Sequence, residues 1–229
     1  MSFICSYCHT LFFQLLSIVY VVLAPQKSIS PWLPVVLLLC FLSSCATPPA
    51  PQVNLNADAH QLSLEQHQEW MIKGKLGFKS PEKKQSANFR WQQLQQSYQL
   101  NLTSIIGTSL LSLQGNADKV TLIADDKTYQ DSDPSQLIWR VTGWRIPVEK
   151  LQMWVKGQHQ QGDNITTSEQ GWLSQLQPNC KHCSNWLINY DNYKLVDNVW
   201  LPHKVSLYNN IDNSQLLIRI NKWDLHGKS

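Results

Sequence analysis

The clearest pattern along the chain is an alternation of apolar and polar residues that begins near residue 70. Between Ser86 and Leu113, Ala87, Phe89 and Trp91 fall on one side with Asn88, Arg90 and Gln92 on the other, and Tyr98, Leu100 and Leu102 repeat the arrangement. A period of two predicts strands with one apolar face. Ile72, Gly74, Leu76 and Phe78 carry it between Trp70 and Phe78, and Val120, Leu122 and Ala124 carry it again. Turn residues separate these runs at 81–84, 115–118 and 125–127. The result is an expected meander of five or six antiparallel strands. Ahead of it, Leu62, Leu64, His67 and Met71 have helical spacing, which predicts a helix over Asp58–Met71.

The period then changes. Asp133-Pro134 supplies an N-cap with proline at the first helical position, Leu137, Ile138 and Val141 form an apolar face, and Gly143 stops the helix. A second short helix follows from Pro147, with Leu151, Trp154 and Val155 on one side and Gly157 at its end. Two amphipathic helices inside a β meander must cover something apolar, such as the end of a curled sheet. Residues 158–168 read as polar and irregular. Strand signals resume at 171–173, 186–190, 199–208 and 216–223, with Pro202 marking an edge or a bulge.

One connection breaks the pattern. Ser104-Ile105-Ile106-Gly107 joins two strands, yet it carries adjacent branched aliphatics where polar residues belong. Burying such a side chain is worth roughly 1.5–3 kcal/mol, so the tip either folds back onto its own core or meets an apolar partner outside.

Ahead of the body, Leu11–Ala24 and Leu33–Leu42 are apolar but too short for the ~18–20 residues that span a bilayer. The second run has the size of a secretory hydrophobic region, with Lys27 upstream and Ser43 and Ser44 beyond. Leu42-Ser43-Ser44-Cys45 resembles a bacterial lipobox, in which the cysteine is acylated and the peptide is cut before it. In this resemblance residues 1–44 form a lipoprotein signal peptide, and the Ala at 46 in place of Asp favours the outer membrane. Residues 45–57, rich in Pro and Ala, read as a flexible tether, and 58–229 as a single domain. Several acyl chains at ~0.8 kcal/mol per buried CH₂ make a durable anchor, so the mature chain is expected to be tethered and not spanning. A leader of this length exceeds the usual 15–30 residues and points to a natural start inside the first apolar run.

Composition narrows the chemistry. The 19 Lys and Arg against 16 Asp and Glu are scattered without a stripe, which excludes a nucleic-acid binder of the ordinary basic kind. Ten tryptophans suit either a β-rich core or a lined pocket. Of six cysteines, only Cys180 and Cys183 lie beyond the lipobox. They form a C-x-x-C, but Pro178-Asn179 precedes it and a strand follows, where a redox motif needs a helix N-terminus. A local disulfide in an oxidising compartment fits better. Histidines without ligand spacing, and the lack of a nucleophile elbow, an H-E-x-x-H or a glycine-rich phosphate loop, leave no catalytic residues, metal or cofactor to propose. No enzyme is expected.

Taken together, the chain resembles the LolB family of bacterial outer-membrane lipoprotein receptors over most of residues 66–225. The resemblance rests on Trp70 with Gly74, Phe89-Arg90-Trp91-Gln92-Gln93, Tyr98 to Leu102, Ile106-Gly107, Gly143-Trp144-Arg145-Ile146-Pro147, Leu151 with Trp154-Val155-Lys156-Gly157, Leu201-Pro202 and Trp223. It implies a mainly β fold, an incomplete antiparallel β-barrel with a helical lid around an apolar cavity. It also implies a palmitate-bearing lipoprotein, facing the periplasm, that takes acylated lipoprotein cargo from a LolA-like periplasmic carrier and inserts it into the outer membrane as a chaperone of protein transport. On this basis Ile106, with Ile105 beside it, is the membrane-insertion tip. The expected acyl-chain cavity comprises Phe89, Trp91, Leu100, Leu102, Leu122, Leu137, Val141, Leu151 and Trp154, and the protein is expected to act as a monomer. Ile105 stands where the family usually has proline, and Cys180 and Cys183 lie outside its pattern. Two other classes share parts of this pattern: a lipocalin-like lipoprotein binding a free small lipid, and a purely structural envelope lipoprotein with a filled interior.

Overall fold

The computed structural model describes residues 55–181 and 183–226. The expected signal peptide, Cys45 and nearly all of the expected tether therefore lie outside the described residues, as does His182.

Helix α1 (Ala57–Gln66) starts where the Asn56 side chain accepts from Ala59 N at 3.0 Å. It ends five residues earlier than the spacing suggested. Trp70 and Met71 pair with Gln93 and Gln92 as part of a strand, so cross-strand pairing overrides the helical period there. The carbonyls freed at the helix end are taken by Lys156, whose Nζ donates to Leu64 O at 3.0 Å and His67 O at 2.9 Å.

Strands β1 (Glu69–Lys79), β2 (Lys84–Leu94), β3 (Ser97–Thr103), β4 (Ser109–Gly115), β5 (Val120–Ala124) and β6 (Lys127–Asp131) form the meander. Helices α2 (Pro134–Thr142) and α3 (Val148–Trp154) follow. The chain then returns through β7 (Asn164–Thr167), β8 (Leu173–Gln177), β9 (Trp186–Val196), β10 (Val199–Asn209) and β11 (Gln215–Asp224). All eleven strands join one antiparallel sheet in the order β6-β5-β4-β3-β2-β1-β11-β10-β9-β8-β7. The first and last strands pair in its middle, while β6 and β7 are left at opposite edges, so the sheet is not closed. The chain leaves from one edge and re-enters at the other, and α2 and α3 are the bridge between them.

Strand β7 occupies part of the stretch read as irregular. It is an edge strand with all four residues exposed, so it has no buried face to imprint a pattern. Pro202 sits inside β10, but pairing with β11 begins only at Lys204. At Pro202 the Trp223 indole takes the carbonyl instead, at 3.0 Å.

One face of the sheet carries the core. Trp70 meets Trp91 and Trp223 edge-on, with centroids 5.0 and 5.8 Å away. At Gly74 an added Cβ would collide with the Arg219 carbonyl, so only glycine allows β1 and β11 to approach at their bulge.

Candidate functional site

Helices α2 and α3 are locked to one another and laid over the apolar face. Asp133 caps α2 by accepting from Gln136 N at 2.9 Å, and Gly143 ends it at φ +78°. Ser135 Oγ donates to Glu149 Oε2 at 2.5 Å and accepts from Val148 N at 2.8 Å, which pins the start of α3 to the start of α2. Trp144, in the connection between the helices, stacks on Phe78 of β1 at 4.6 Å.

Beneath this lid lies a wholly apolar void of about 40 Å³. It is lined by Leu76, Trp91, Tyr98, Leu100, Leu102, Leu111, Leu113, Ile138, Trp144, Ile146, Val148, Leu151 and Leu216. Of the nine residues expected to form a cavity, Trp91, Leu100, Leu102 and Leu151 line it. Phe89, Leu122, Leu137 and Trp154 are packed into the core instead, and Val141 rests against it. A period-2 pattern marks the inward face but not how far it stands from the layer opposite, and that distance separates core from lining. Leu111 and Leu113 were legible in the same alternation. Ile138 was legible on the apolar face of α2, whereas Trp144, Ile146 and Val148 gave no such signal, because only the docking of the lid aims them inward. The Tyr98 hydroxyl is pushed up to about 12 by burial, with the Glu149 charge adding to the shift, so it stays protonated.

The void is far smaller than expected of an acyl-chain cavity, since ligand pockets run to ~300–1,000 Å³. The lid sits down on the sheet here, and its side chains fill most of the interior. A larger groove of about 560 Å³ opens outside the lid between the α2–α3 region and the β10–β11 turn, with Trp139, Arg145, Ile146, Trp186 and Ile211 among its walls. Ile146 lines both spaces.

The isoleucine tip stands in solvent. Ile105 and Ile106 are 85% and 89% exposed on the β3–β4 turn, and Leu110 beside them is 44% exposed. The turn is defined: Ser104 N donates to Thr108 O at 2.8 Å, Thr108 N to Ser104 Oγ at 3.0 Å and Gly107 N to Ser104 O at 3.0 Å, with Gly107 at φ +88°. The alternative of a loop folded back onto the core is therefore not what the structure has. Cys180 and Cys183, with Cα atoms 5.2 Å apart, are joined as a disulfide in the turn leading into β9, and Cys183 is buried.

An open antiparallel sheet, its two edge strands joined in the chain by a pair of helices over an apolar interior, defines the class: a half-barrel with a helical lid. A family described as outer membrane lipoprotein LolB matches residues 68–223, and the chain belongs to that family. Among its relatives, the outer-membrane lipoprotein LolB of Vibrio cholerae is 34% identical over 194 residues, covering 82% of this chain and 92% of the other. That of Psychromonas ingrahamii is 34% identical over 197 residues, covering 84% and 95%. Among solved structures, a LolA superfamily protein from Nitrosomonas europaea aligns with 74% of this chain and 93% of its own at a TM-score of 0.44 and 7% identity.

Proposed function

We propose that this protein receives acylated lipoproteins from a LolA-like periplasmic carrier and inserts them into the outer membrane, to which it is held by lipid on Cys45 while its domain faces the periplasm. The observation that carries this reading is the pair of exposed isoleucines on a hydrogen-bonded turn, outside a lidded apolar interior. Such a tip is costly to keep in water unless it meets lipid.

The acyl chains of the cargo pass from the carrier into the space lined by Trp91, Leu100, Leu102 and Leu151, and the lid lifts to admit them. No chemical energy is needed for transfer between two apolar cavities. A higher affinity in the acceptor gives direction, at ~1.4 kcal/mol per tenfold. The protein works as a monomer in this scheme.

The test replaces Ile106 with Glu and follows a radiolabelled lipoprotein from carrier to vesicles. Acceptance from the carrier is expected to persist while insertion falls at least tenfold, because a charge at the tip opposes entry into lipid. Wild-type insertion by the variant would falsify the role given to the tip. The narrow void is the observation on the side of a structural envelope lipoprotein. A photo-crosslinker at Leu100 separates the two readings: capture of cargo supports the receptor, and capture of none during active transfer supports the structural protein.

A further inference from the structure

We infer that Ile211 is a second membrane-contacting prong, and that the rim between it and Ile106 is a docking face for an anionic bilayer surface. This rests on the proposed function, of which it deepens one part. Ile211 is 77% exposed at the tip of the β10–β11 turn. The register puts that turn on the same rim as the isoleucine tip: Asn88 of β2 pairs with Thr103 at the β3 end, Lys84 pairs with Lys79 at the β1–β2 turn, and Lys79 pairs with Gln215 at the start of β11. The two tips are four strand spacings apart in the sheet order, about 19 Å along the sheet.

The Ile211 turn is held open by polar bonds. Asn209 Oδ1 accepts from Ile211 N at 2.9 Å and from Asn185 Nδ2 at 2.7 Å, Ser214 N donates to Asp212 Oδ1 at 3.0 Å, and Tyr208 OH donates to Asn213 Oδ1 at 2.7 Å. Asn209 and Ser214 are buried, so the bracing is part of the fold and the isoleucine is presented outward on it. As at Ile106, a stiff turn displays an aliphatic side chain that its own core does not use.

What lies between the prongs suits a lipid headgroup layer. The β1–β2 turn is cationic, with Lys79, Lys83 and Lys84 against Glu82, while Arg145 shares the groove beside Ile211 with Asp133, Glu149 and Asp212, and Asp125 and Asp126 lie on the β5–β6 turn beyond the first prong. Trp139 is 40% exposed, and the Arg145 guanidinium carbon lies 5.0 Å from its ring centroid. Tryptophan and arginine with aliphatic tips ahead of them are the residue types that settle at a bilayer interface. A flat bilayer meets both prongs at once, whereas either prong alone leaves the domain free to swing.

The test labels one position at a time, through Ile106→Cys or Ile211→Cys, with an environment-sensitive thiol dye. The mature lipidated chain is reconstituted in phosphatidylethanolamine–phosphatidylglycerol vesicles that carry a bilayer-embedded quencher. Both dyes are expected to be blue-shifted and quenched, and Ile211→Glu is expected to weaken insertion about tenfold. Quenching at 106 with the 211 dye left in water overturns this inference and leaves the proposed function standing. Quenching at neither position removes the insertion tip, and the second prong with it. Protection of the 211 dye only when the carrier is added assigns the surface to the carrier and overturns the bilayer. Equal quenching on phosphatidylcholine vesicles at low and high salt overturns the role of the cationic turn.

Discussion

At the scale of single residues, Lys156 is a cation held out of solvent. It is 6% exposed, and its Nζ holds the end of α1 against the segment that follows α3. Burial pushes its ammonium down to about 8, while the Glu65 charge pulls the other way. The unfolded chain keeps this proton to about pH 10.5, so between pH 8 and 10.5 it binds more protons than the folded one. Stability from this site therefore rises with pH through that window, by at most ~3 kcal/mol, because the neutral amine keeps N–H groups for both carbonyls. Unfolding free energies of wild type and Lys156→Met, compared from pH 7 to 10, are expected to show a wild-type advantage that grows above pH 8. A difference that stays flat or shrinks contradicts the assignment. The burial of Lys156 was not legible in the sequence, where it figures only as part of the Trp154-Val155-Lys156-Gly157 run.

At the scale of elements, the lid decides what the interior is. Ile146 separates the buried void from the outer groove, so Ile146→Ala is expected to join them. Truncation of a buried isoleucine costs about 2–5 kcal/mol of stability, and the same change is expected to raise affinity for a fluorescent fatty-acyl probe. Thermal unfolding and probe titration check the two effects separately, and a loss of stability with no gain in probe binding means that the route into the core lies elsewhere. The helices themselves were readable from Asp133-Pro134, Gly143 and the apolar spacing of Leu137, Ile138 and Val141. Their docking was not, because it depends on Ser135, Glu149 and Trp144 meeting partners that no local pattern announces. Strand β7 was missed for a related reason: an exposed edge strand has nothing to bury, so it leaves no period. The end of α1 was misplaced because strand pairing took Trp70 and Met71 from the helix.

At the scale of the whole molecule, the open sheet leaves one side of the interior covered by helices and not by a β ladder. With β6 and β7 unpaired to each other, α2 and α3 can lift without breaking a β ladder. Cargo loading is accordingly expected to speed amide exchange across residues 134–154 while β1, β2, β10 and β11 stay protected, since those strands pair on both sides. Hydrogen exchange on the loaded and empty protein measures this, and unchanged protection of the lid in the loaded protein would mean that acyl chains bind outside the void.

The sequence by itself determined the strand-rich architecture, the place of the two helices and the odd turn of Ile105 and Ile106, because a half-buried strand, a capped helix and an aliphatic turn each write a local pattern of polarity. Only the tertiary structure decided which inward residues line a space and which fill it, and how far the lid has closed on them. It also brought the Ile211 turn to the same rim as Ile106. Those outcomes depend on distances between layers and on strand order, which arise when residues far apart in the chain are brought together.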